Sequence, residues 1–265
     1  MNTFFLDRLN SEPHALAFAG QSTPWPVALA DQSANPALDE ALHTHAAAAQ
    51  ALLYPVSAEL LATTGRPVDL FGFEPNPARL GAAAAASASV PGIALTQLGA
   101  LLDAAALGYN PTQAKPVAVL GHSQGVLAVH MVQAICEAGS IDAAAAKIDE
   151  ILAIATLIGV AGTRQARQLG LAARHGEATP MLSVKDITRA QVDALIERVD
   201  GARGPIAVAV TNSATHYVLS GYPEDLAAFG VEVAKEHKRQ AQLREEKVRG
   251  GRVFNPVLEY LDVTF

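Results

Sequence analysis

The sequence is poor in cysteine, in aromatic residues and in charge. Its 265 residues include one cysteine, which excludes an internal disulfide, and we expect Cys136, in an apolar helical run, to be a small core residue. Charged residues make up 17% of the chain, and 26 acidic residues outnumber 19 basic ones, so the composition gives no reason to expect nucleic-acid binding. No apolar stretch reaches the roughly 18 to 20 clean residues of a membrane span, and the N-terminus lacks a signal-peptide core. We therefore expect a cytoplasmic protein.

Apolar residues, in contrast, make up half of the chain, enough to bury a large core. Short apolar runs at residues 14–19 and 116–120 predict two buried strands. Longer runs predict helices at residues 37–61 (broken near Pro55), 90–107 (after a break at Pro91 and Gly92), 126–138 and 142–159. Because strands and helices alternate, we predict an α/β layered core.

The pattern changes near Thr179. Strands are predicted at residues 180–184, 206–210 and 217–219, and helices at residues 186–199, with Thr188 as N-cap, and 223–237. This β-α-β-β-α order is most of a ferredoxin-like unit and lacks only its last strand. We predict a large α/β subdomain at residues 1–178, a ferredoxin-like small subdomain at 179–240, and an incomplete return segment to the large subdomain at 241–265.

The strongest chemical signal is Gly-His-Ser-Gln-Gly at residues 121–125. It follows a predicted strand and opens a predicted helix, the context that the G-x-S-x-G nucleophile elbow requires. Glycines suit so tight a turn, and the start of a helix favours negative charge. We predict that Ser123 is a nucleophile. The alternative is an ordinary strand-to-helix turn with an inert serine.

Two backbone amides near this serine are candidates for an oxyanion hole. Gln21 follows Gly20 after the first strand, and Gln124 follows Ser123. Their N–H groups are expected to hold a developing oxyanion together. His122 is predicted to be structural or part of the pocket wall. A serine nucleophile needs a base, and no sequence context identifies one among the other histidines, which are His14, His43, His45, His130, His175, His216 and His237.

Taken in order, these features resemble a known family. Residues 19–21 (AGQ), residues 121–125 and the β-α-β-β-α insert together resemble acyl-CoA:acyl-carrier-protein transacylases. More narrowly, GHSQGV at residues 121–126, PMLSV at 180–184, Asn212 and LSG at 219–221 resemble the N-terminal acetyltransferase domain of fungal and mycobacterial type I fatty acid synthases. The resemblance implies a hydrolase-like parallel-sheet acyltransferase core with an inserted ferredoxin-like subdomain.

The resemblance also implies a two-step reaction. Ser123 attacks the thioester of acetyl-CoA, and the phosphopantetheine thiol of an acyl carrier protein then takes the acyl group from the serine. The family needs no metal or bound cofactor. The implied partners are the acyl carrier protein and the other domains of a large, homo-oligomeric synthase.

Three further expectations follow from the resemblance. Asn212 matches a family asparagine near the active-site cleft, although capping of its own turn is an equal alternative. Malonyl-selective relatives carry an arginine near the position of Ala153 or Ile154, and residues 148–160 contain none, which favours an uncharged acyl group such as acetyl. The family's histidine base follows a stretch like residues 253–265, so we expect it just after Phe265, and the chain to be a fragment.

Two other functions remain open from the sequence. A serine thioesterase or other hydrolase would share the elbow but needs an acidic residue between the serine and a later histidine, and it has no place for the small insert. A non-catalytic structural module of a large synthase needs no exposed serine at a helix start.

Overall fold

A computed structural model describes residues 3–20, 25–54, 69–72, 86–168, 179–200, 203–246 and 254–261. Gln21, His175, the end of the predicted helix at residues 37–61 and the start of the alanine-rich run from Gly81 lie outside the described residues. The chain divides into two compact units, Met1–Gln165 and Ala166–Phe265, and each is described by itself.

The first unit alternates helices and strands. In chain order its elements are α1 (Thr3–Ser11), β1 (Ala15–Phe18), α2 (Trp25–Ser33), α3 (Pro36–Leu53), α4 (Ala86–Ala106), the short α5 (Pro111–Ala114), β2 (Ala118–Gly121), α6 (Gly125–Ala138) and the start of α7 (Ile141–Gln168). Strands β1 and β2 pair in parallel, from Ala15 opposite Ala118 to Phe18 opposite Gly121. Parallel pairing requires a long crossover, which the intervening helices provide. The α/β prediction is confirmed.

Helix α4 is the centre of this unit's core. It is buried from Ala86 to Gly99 and packs in one cluster with α2, α3, α6 and α7. The predicted break at Pro91 and Gly92 is wrong, because the helix runs through both residues. Gly92 lies against Trp25, where an added Cβ would be 2.5 Å from the indole ring. Packing on all sides outweighs the low helix propensity of the Pro-Gly pair.

By length and mean hydropathy, Ala86–Ala106 is also a candidate membrane span, contrary to the expectation that no stretch qualifies. Of its most apolar 18-residue window, 72% is buried inside the protein, and Ser87, Thr96 and Gln97 lie on it. A core helix of a globular protein has these properties.

Two burial predictions fail. Strands β1 and β2 are half-exposed rather than buried, because the described part of this sheet has two strands. Cys136 is exposed rather than in the core, because the buried face of α6 carries Met131, Val132 and Ile135. The predicted stop of α6 at Gly139 is confirmed by its left-handed φ of 88°.

The second unit is built on a four-stranded antiparallel sheet. Its elements are β3 (Met181–Lys185), α8 (Arg189–Ile196), β4 (Ala207–Ser213), β5 (His216–Ser220), α9 (Pro223–Glu246) and β6 (Val257–Tyr260), and the sheet order is β4-β5-β3-β6. Thr188 caps α8 in a capping box with Gln191, as predicted for its N-cap.

Strand β6 was not predicted. It pairs antiparallel with β3, so that Leu182 lies opposite Tyr260, and it supplies the last strand that the ferredoxin-like order lacked. Residues 254–261, assigned from the sequence to a return segment, therefore join the small sheet. Leu182, Val184 and Leu219 face helices α8 and α9 in a separate apolar core.

Candidate active site

Ser123 lies in the turn between the end of β2 and the start of α6. Its φ is 54°, in the left-handed region that residues other than glycine rarely occupy. A backbone held there costs on the order of 1–3 kcal/mol and persists where its surroundings fix it. The side chain is exposed. The turn thus has the strand-to-helix geometry of a nucleophile elbow, and this observed strain favours a functional serine over an inert one.

Close backbone approaches fix this turn. A Cβ on Gly121 would lie 2.5 Å from the backbone nitrogen of Val126, and one on Gly125 would collide with the carbonyl of Phe18. The N–H of His122 donates to the carbonyl oxygen of Phe18 at 3.0 Å, which joins the elbow to β1. The two glycines of the motif are therefore required by contact, because no side chain fits at either position.

The loop after β1 lies directly against the nucleophile. A Cβ on Gly20 would be 2.8 Å from the Cβ and 3.3 Å from the Oγ of Ser123. The residue that follows, Gln21, lies outside the described residues, so its predicted role as an oxyanion donor stays a prediction. The other predicted donor, the N–H of Gln124, stands at the start of α6, where the first amides of a helix lack intrahelical acceptors. The turn places that amide next to Ser123.

Gln97, which was not predicted as a site residue, holds the same loop through a hydrogen bond. Its Nε2 donates to the carbonyl oxygen of Ala19 at 2.5 Å, and the residue is 8% exposed. Within the described residues, its Oε1 and the carboxamide of Gln124 are buried without a hydrogen-bond partner. The one sequence feature that could have indicated its role is a glutamine within an apolar helical run, Leu-Thr-Gln-Leu at residues 95–98. Buried polar groups of this kind are uncommon and call for an explanation.

Several of the described histidines have partners other than Ser123. His14 bonds Tyr109 at 2.8 Å, His45 bonds Asp149 at 2.6 Å and His237 bonds the carbonyl of Phe254 at 2.5 Å. His43 stacks on Phe71, with ring centroids 3.6 Å apart. Among the described side chains, no hydrogen bond joins a histidine to Ser123.

Asn212 lies in the second unit, on a β-bulge. Thr211 pairs with Tyr217 and Ser213 with His216, so Asn212 is the extra residue between them. Its Nδ2 is 3.3 Å from Nε2 of His216, and Oγ of Ser183 is 3.1 Å from the same nitrogen. The Asn212 side chain therefore makes a contact across the β4–β5 pair, in addition to any role in capping its own turn.

Ala153 and Ile154, where the resemblance implies an arginine in malonyl-selective relatives, lie in the middle of α7. Ala153 is half-buried and Ile154 is 44% exposed. Arg164 lies nearly three turns farther along the same helix. No group of three or more His, Cys, Asp or Glu side chains among the described residues could hold a metal ion.

The comparisons bear first on the second unit. Residues 180–260 match the family model of the fatty acid synthase central AT domain. This match includes Asn212 but not Ser123. The fatty acid synthase beta subunit hexB of Dothistroma septosporum is 30% identical over 128 residues, which are 43% of this chain and 7% of that protein. The chain therefore spans a small fraction of this curated relative.

Solved structures extend the likeness to the first unit. The malonyl CoA-acyl carrier protein transacylase of Coxiella burnetii matches with a TM-score of 0.50 and 17% identity, over 84% of this chain and 58% of that one. The fold is that of a transacylase. An acyl carrier protein S-malonyltransferase of Vibrio cholerae gives a TM-score of 0.49 at 18% identity, over 83% of this chain and 59% of that one.

Proposed function

We propose that this chain is an acyltransferase of fatty acid synthesis that loads a starter acyl group, acetyl, from CoA onto Ser123. The acyl group then passes to the phosphopantetheine thiol of an acyl carrier protein. The observation that carries the proposal is the strained φ of Ser123 at the end of a parallel strand, with Gly20 against its side chain. The transacylase fold and the match of residues 180–260 support it.

In the first half-reaction, Oγ of Ser123 attacks the carbonyl carbon of the acetyl thioester, and its proton passes to the general base. The oxyanion that forms is held by the N–H of Gln124 and, as we propose, by that of Gln21. The C–S bond then breaks. CoA leaves as the thiol after it takes the proton from the base.

In the second half-reaction, the base removes the proton of the phosphopantetheine thiol, and the sulfur attacks the acetyl ester of Ser123. The same two amides stabilise the second oxyanion. The ester C–O bond breaks and Ser123 recovers its proton. The reaction exchanges one thioester for another, so it needs no external energy source.

The general base is proposed to be a histidine that follows Phe265. The resemblance of residues 253–265 to the segment before the family's histidine supports it.

Selectivity for acetyl over malonyl is proposed from α7. Neither Ala153 nor Ile154 offers a cation, so the malonyl carboxylate would lack the arginine partner that the resemblance gives it in malonyl-selective relatives. One charge-assisted hydrogen bond contributes about 1.5–3 kcal/mol, which corresponds to a discrimination of roughly 10- to 150-fold.

The setting of the reaction is proposed as well. Asn212 is proposed to contact substrate, and the partners are an acyl carrier protein and the other domains of a large, homo-oligomeric, cytoplasmic synthase. The likeness to a fatty acid synthase beta subunit supports the synthase setting, and the fold shared with the malonyl CoA-acyl carrier protein transacylase of Coxiella burnetii supports the carrier protein.

The test is to incubate the chain, and a form extended past Phe265, with acetyl-CoA and separately with malonyl-CoA. Intact mass and peptide mapping then locate any adduct. The expected result is acetyl on Ser123, stronger in the extended form, weak with malonyl-CoA and absent in Ser123→Ala. Steady release of CoA without an adduct on the extended form would indicate a hydrolase. If the extended form shows no adduct and releases no CoA, the protein is a non-catalytic structural module.

A further inference from the structure

A cavity in the first unit lies apart from the nucleophile. Its volume is about 450 Å³, and it lies between the end of α2, the start of α3 and the turn at residues 69–72. None of residues 121–125 lines it. Ser33, which does, is the last residue of α2, about 12 Å along the helix axis from Trp25. Volumes of roughly 300–1,000 Å³ are typical of small-molecule sites, so this cavity is large enough to be one.

The walls of this cavity are mainly apolar. Leu29 and Ala30 come from α2, and Leu70, which is 1% exposed, and Phe71 come from the turn. The imidazole of His43, on α3, stacks on Phe71 and extends this wall. Because apolar walls with a few polar groups are the usual composition of ligand sites, the cavity fits a ligand with an apolar body.

Two oxygen-bearing side chains line the same cavity. Within the part of the chain that the structure describes, Oγ of Ser33 is buried and has no hydrogen-bond partner, and a buried polar group of this kind calls for one. Asp39 has one ion-pair contact among the described side chains, with Nε2 of His43 at 3.5 Å, beyond the usual length of a hydrogen bond. A carboxylate accepts several hydrogen bonds, so Asp39 retains acceptor capacity toward a ligand.

The formal charges around the cavity have one sign. Residues 25–54 and 69–72, the described segments that line it, contain four acids and no lysine or arginine. The acids are Asp31, Asp39, Glu40 and Asp69. A phosphate or carboxylate would be repelled here, whereas a cation would be attracted. The charge therefore selects a cationic ligand.

We propose that this cavity binds a small organic amine. The ammonium group pairs with the carboxylate of Asp39 and donates to Oγ of Ser33, and the apolar body lies against Leu29 and Phe71. An ammonium group has several donors and can serve both oxygens. A lysine side chain from another domain has the same head group, but it would fill only a small part of the volume. The inference does not rest on the proposed function.

The binding test titrates the ¹⁵N-labelled whole chain with tryptamine, phenethylamine and hexylamine. Saturable shifts of the amides of Ser33, His43 and Phe71 are expected. 3-Indolepropionate has the indole ring of tryptamine with a carboxylate in place of the ammonium, and it should leave these amides unchanged. Failure of all the amines to shift them, or equal shifts with 3-indolepropionate, would overturn the proposal. So would tighter binding of Nα-acetyl-lysine amide than of tryptamine, which would assign the cavity to a partner's lysine.

Asp39→Asn removes the charge that pairs with the ammonium. We expect the Kd for tryptamine to rise about 3- to 10-fold, between the effects of an exposed and a buried ion pair, because Asp39 is partly exposed. Glu40→Gln, at the next position on α3, removes the same charge from an exposed side chain outside the cavity and should leave the Kd nearly unchanged. Equal effects of the two substitutions would show that the general field attracts the amine, and would overturn the site.

Ser33→Ala separates a ligand-binding hydroxyl from a structural one. Since Oγ has no partner among the described residues, its removal should leave the melting temperature of the free chain unchanged or raise it. The Kd for tryptamine should rise about 3- to 10-fold through the loss of one hydrogen bond. A lower melting temperature of the free chain, with an unchanged Kd, would show that Oγ acts inside the protein and would overturn its assignment to the ligand.

Discussion

Gln97 donates a hydrogen bond from its Nε2 to the carbonyl oxygen of Ala19, at 2.5 Å. The two residues are 78 positions apart in the chain. Ala19 precedes Gly20, which lies against the nucleophile, so this bond fixes the peptide that leads to the predicted oxyanion donor. A side chain in the middle of α4 thereby supports the active-site loop.

Substitution of Gln97 is expected to slow the acylation of Ser123 while leaving substrate binding nearly unchanged. Both Gln97→Met and Gln97→Glu lose the donor to Ala19. We expect the acylation rate to fall on the order of 10- to 100-fold, less than the roughly 10²–10³ that loss of an oxyanion donor itself costs. Stopped-flow release of CoA from the extended form measures it. Gln133→Met, on the exposed side of α6, is the matched control. A change in KM with an unchanged kcat would contradict this role.

Gly20 is expected to tolerate no side chain. In Gly20→Ala, the new Cβ would lie 2.8 Å from both the carbonyl oxygen of His122 and the Cβ of Ser123, so backbone must shift on one side. We expect the acetyl adduct to disappear and the melting temperature to fall.

The control for Gly20→Ala is Gly230→Ala, in the interior of α9. The new Cβ would lie 3.6 Å from Cδ1 of Leu258, an ordinary contact. It should stabilise the protein by up to about 1 kcal/mol, because alanine favours the helix. Equal adduct formation by Gly20→Ala and the wild type would show that the loop is not packed against Ser123 in the working enzyme.

Several features of the fold and site were predictable because they depend on local patterns. The elbow combines a short apolar run, two glycines and an apolar helix, and these signals all lie within residues 116–138. Thr188 and Gln191 form a capping box, and their spacing of three residues is the sequence pattern typical of one. The continuous helix through Pro91 was not predictable, because the Trp25 contact that stabilises it is distant in sequence.

Long-range pairings account for the other failures. Strand β6 has four residues and follows a basic, glycine-containing stretch, so nothing local indicates that it pairs with β3, more than 70 residues earlier. Gln97 gives no sign of its contact with Ala19. The bulge at Asn212 depends on the register between β4 and β5, which the apolar alternation alone does not determine.

Acid is expected to weaken the second unit through Glu236. Hydrogen bonds from Arg239, then Gln240, lower the pKa of Glu236 from 4.5 to about 2, and Arg198 contributes further. Because the folded pKa lies below the unfolded one, the stabilisation is complete above about pH 4.5 and is lost as pH falls toward 2. The contribution is roughly 1–3 kcal/mol, since one pKa unit corresponds to 1.36 kcal/mol.

Urea unfolding of the wild type and of Glu236→Gln from pH 7 to pH 2.5 measures this contribution. The difference in the free energy of unfolding should be constant above about pH 4.5 and shrink below it. Glu224→Gln, at an exposed ion pair with Arg203, is the control and should show little difference at any pH. A constant difference for Glu236→Gln across the whole range would contradict the lowered pKa.

Cys136 is expected to react with a thiol reagent in the native state. It is exposed on α6, although partial burial raises the pKa of its thiol, so the reaction should be slower than that of a free thiol. Cys136→Ser should change the free energy of unfolding by less than about 0.5 kcal/mol. Ellman's reagent under native and denaturing conditions makes the comparison. Reaction only after unfolding would show that the residue belongs to the core after all.

The fate of the acetyl group on Ser123 tests the central claim most directly. The extended form is loaded with ¹⁴C-acetyl-CoA and freed of excess substrate, and the label is followed with and without pantetheine. A transferase predicts a stable acetyl-serine that loses its label to the thiol, as acetyl-pantetheine, within seconds of its addition. Rapid loss to free acetate without the thiol, at a rate that pantetheine does not change, would contradict the account and identify the protein as a hydrolase.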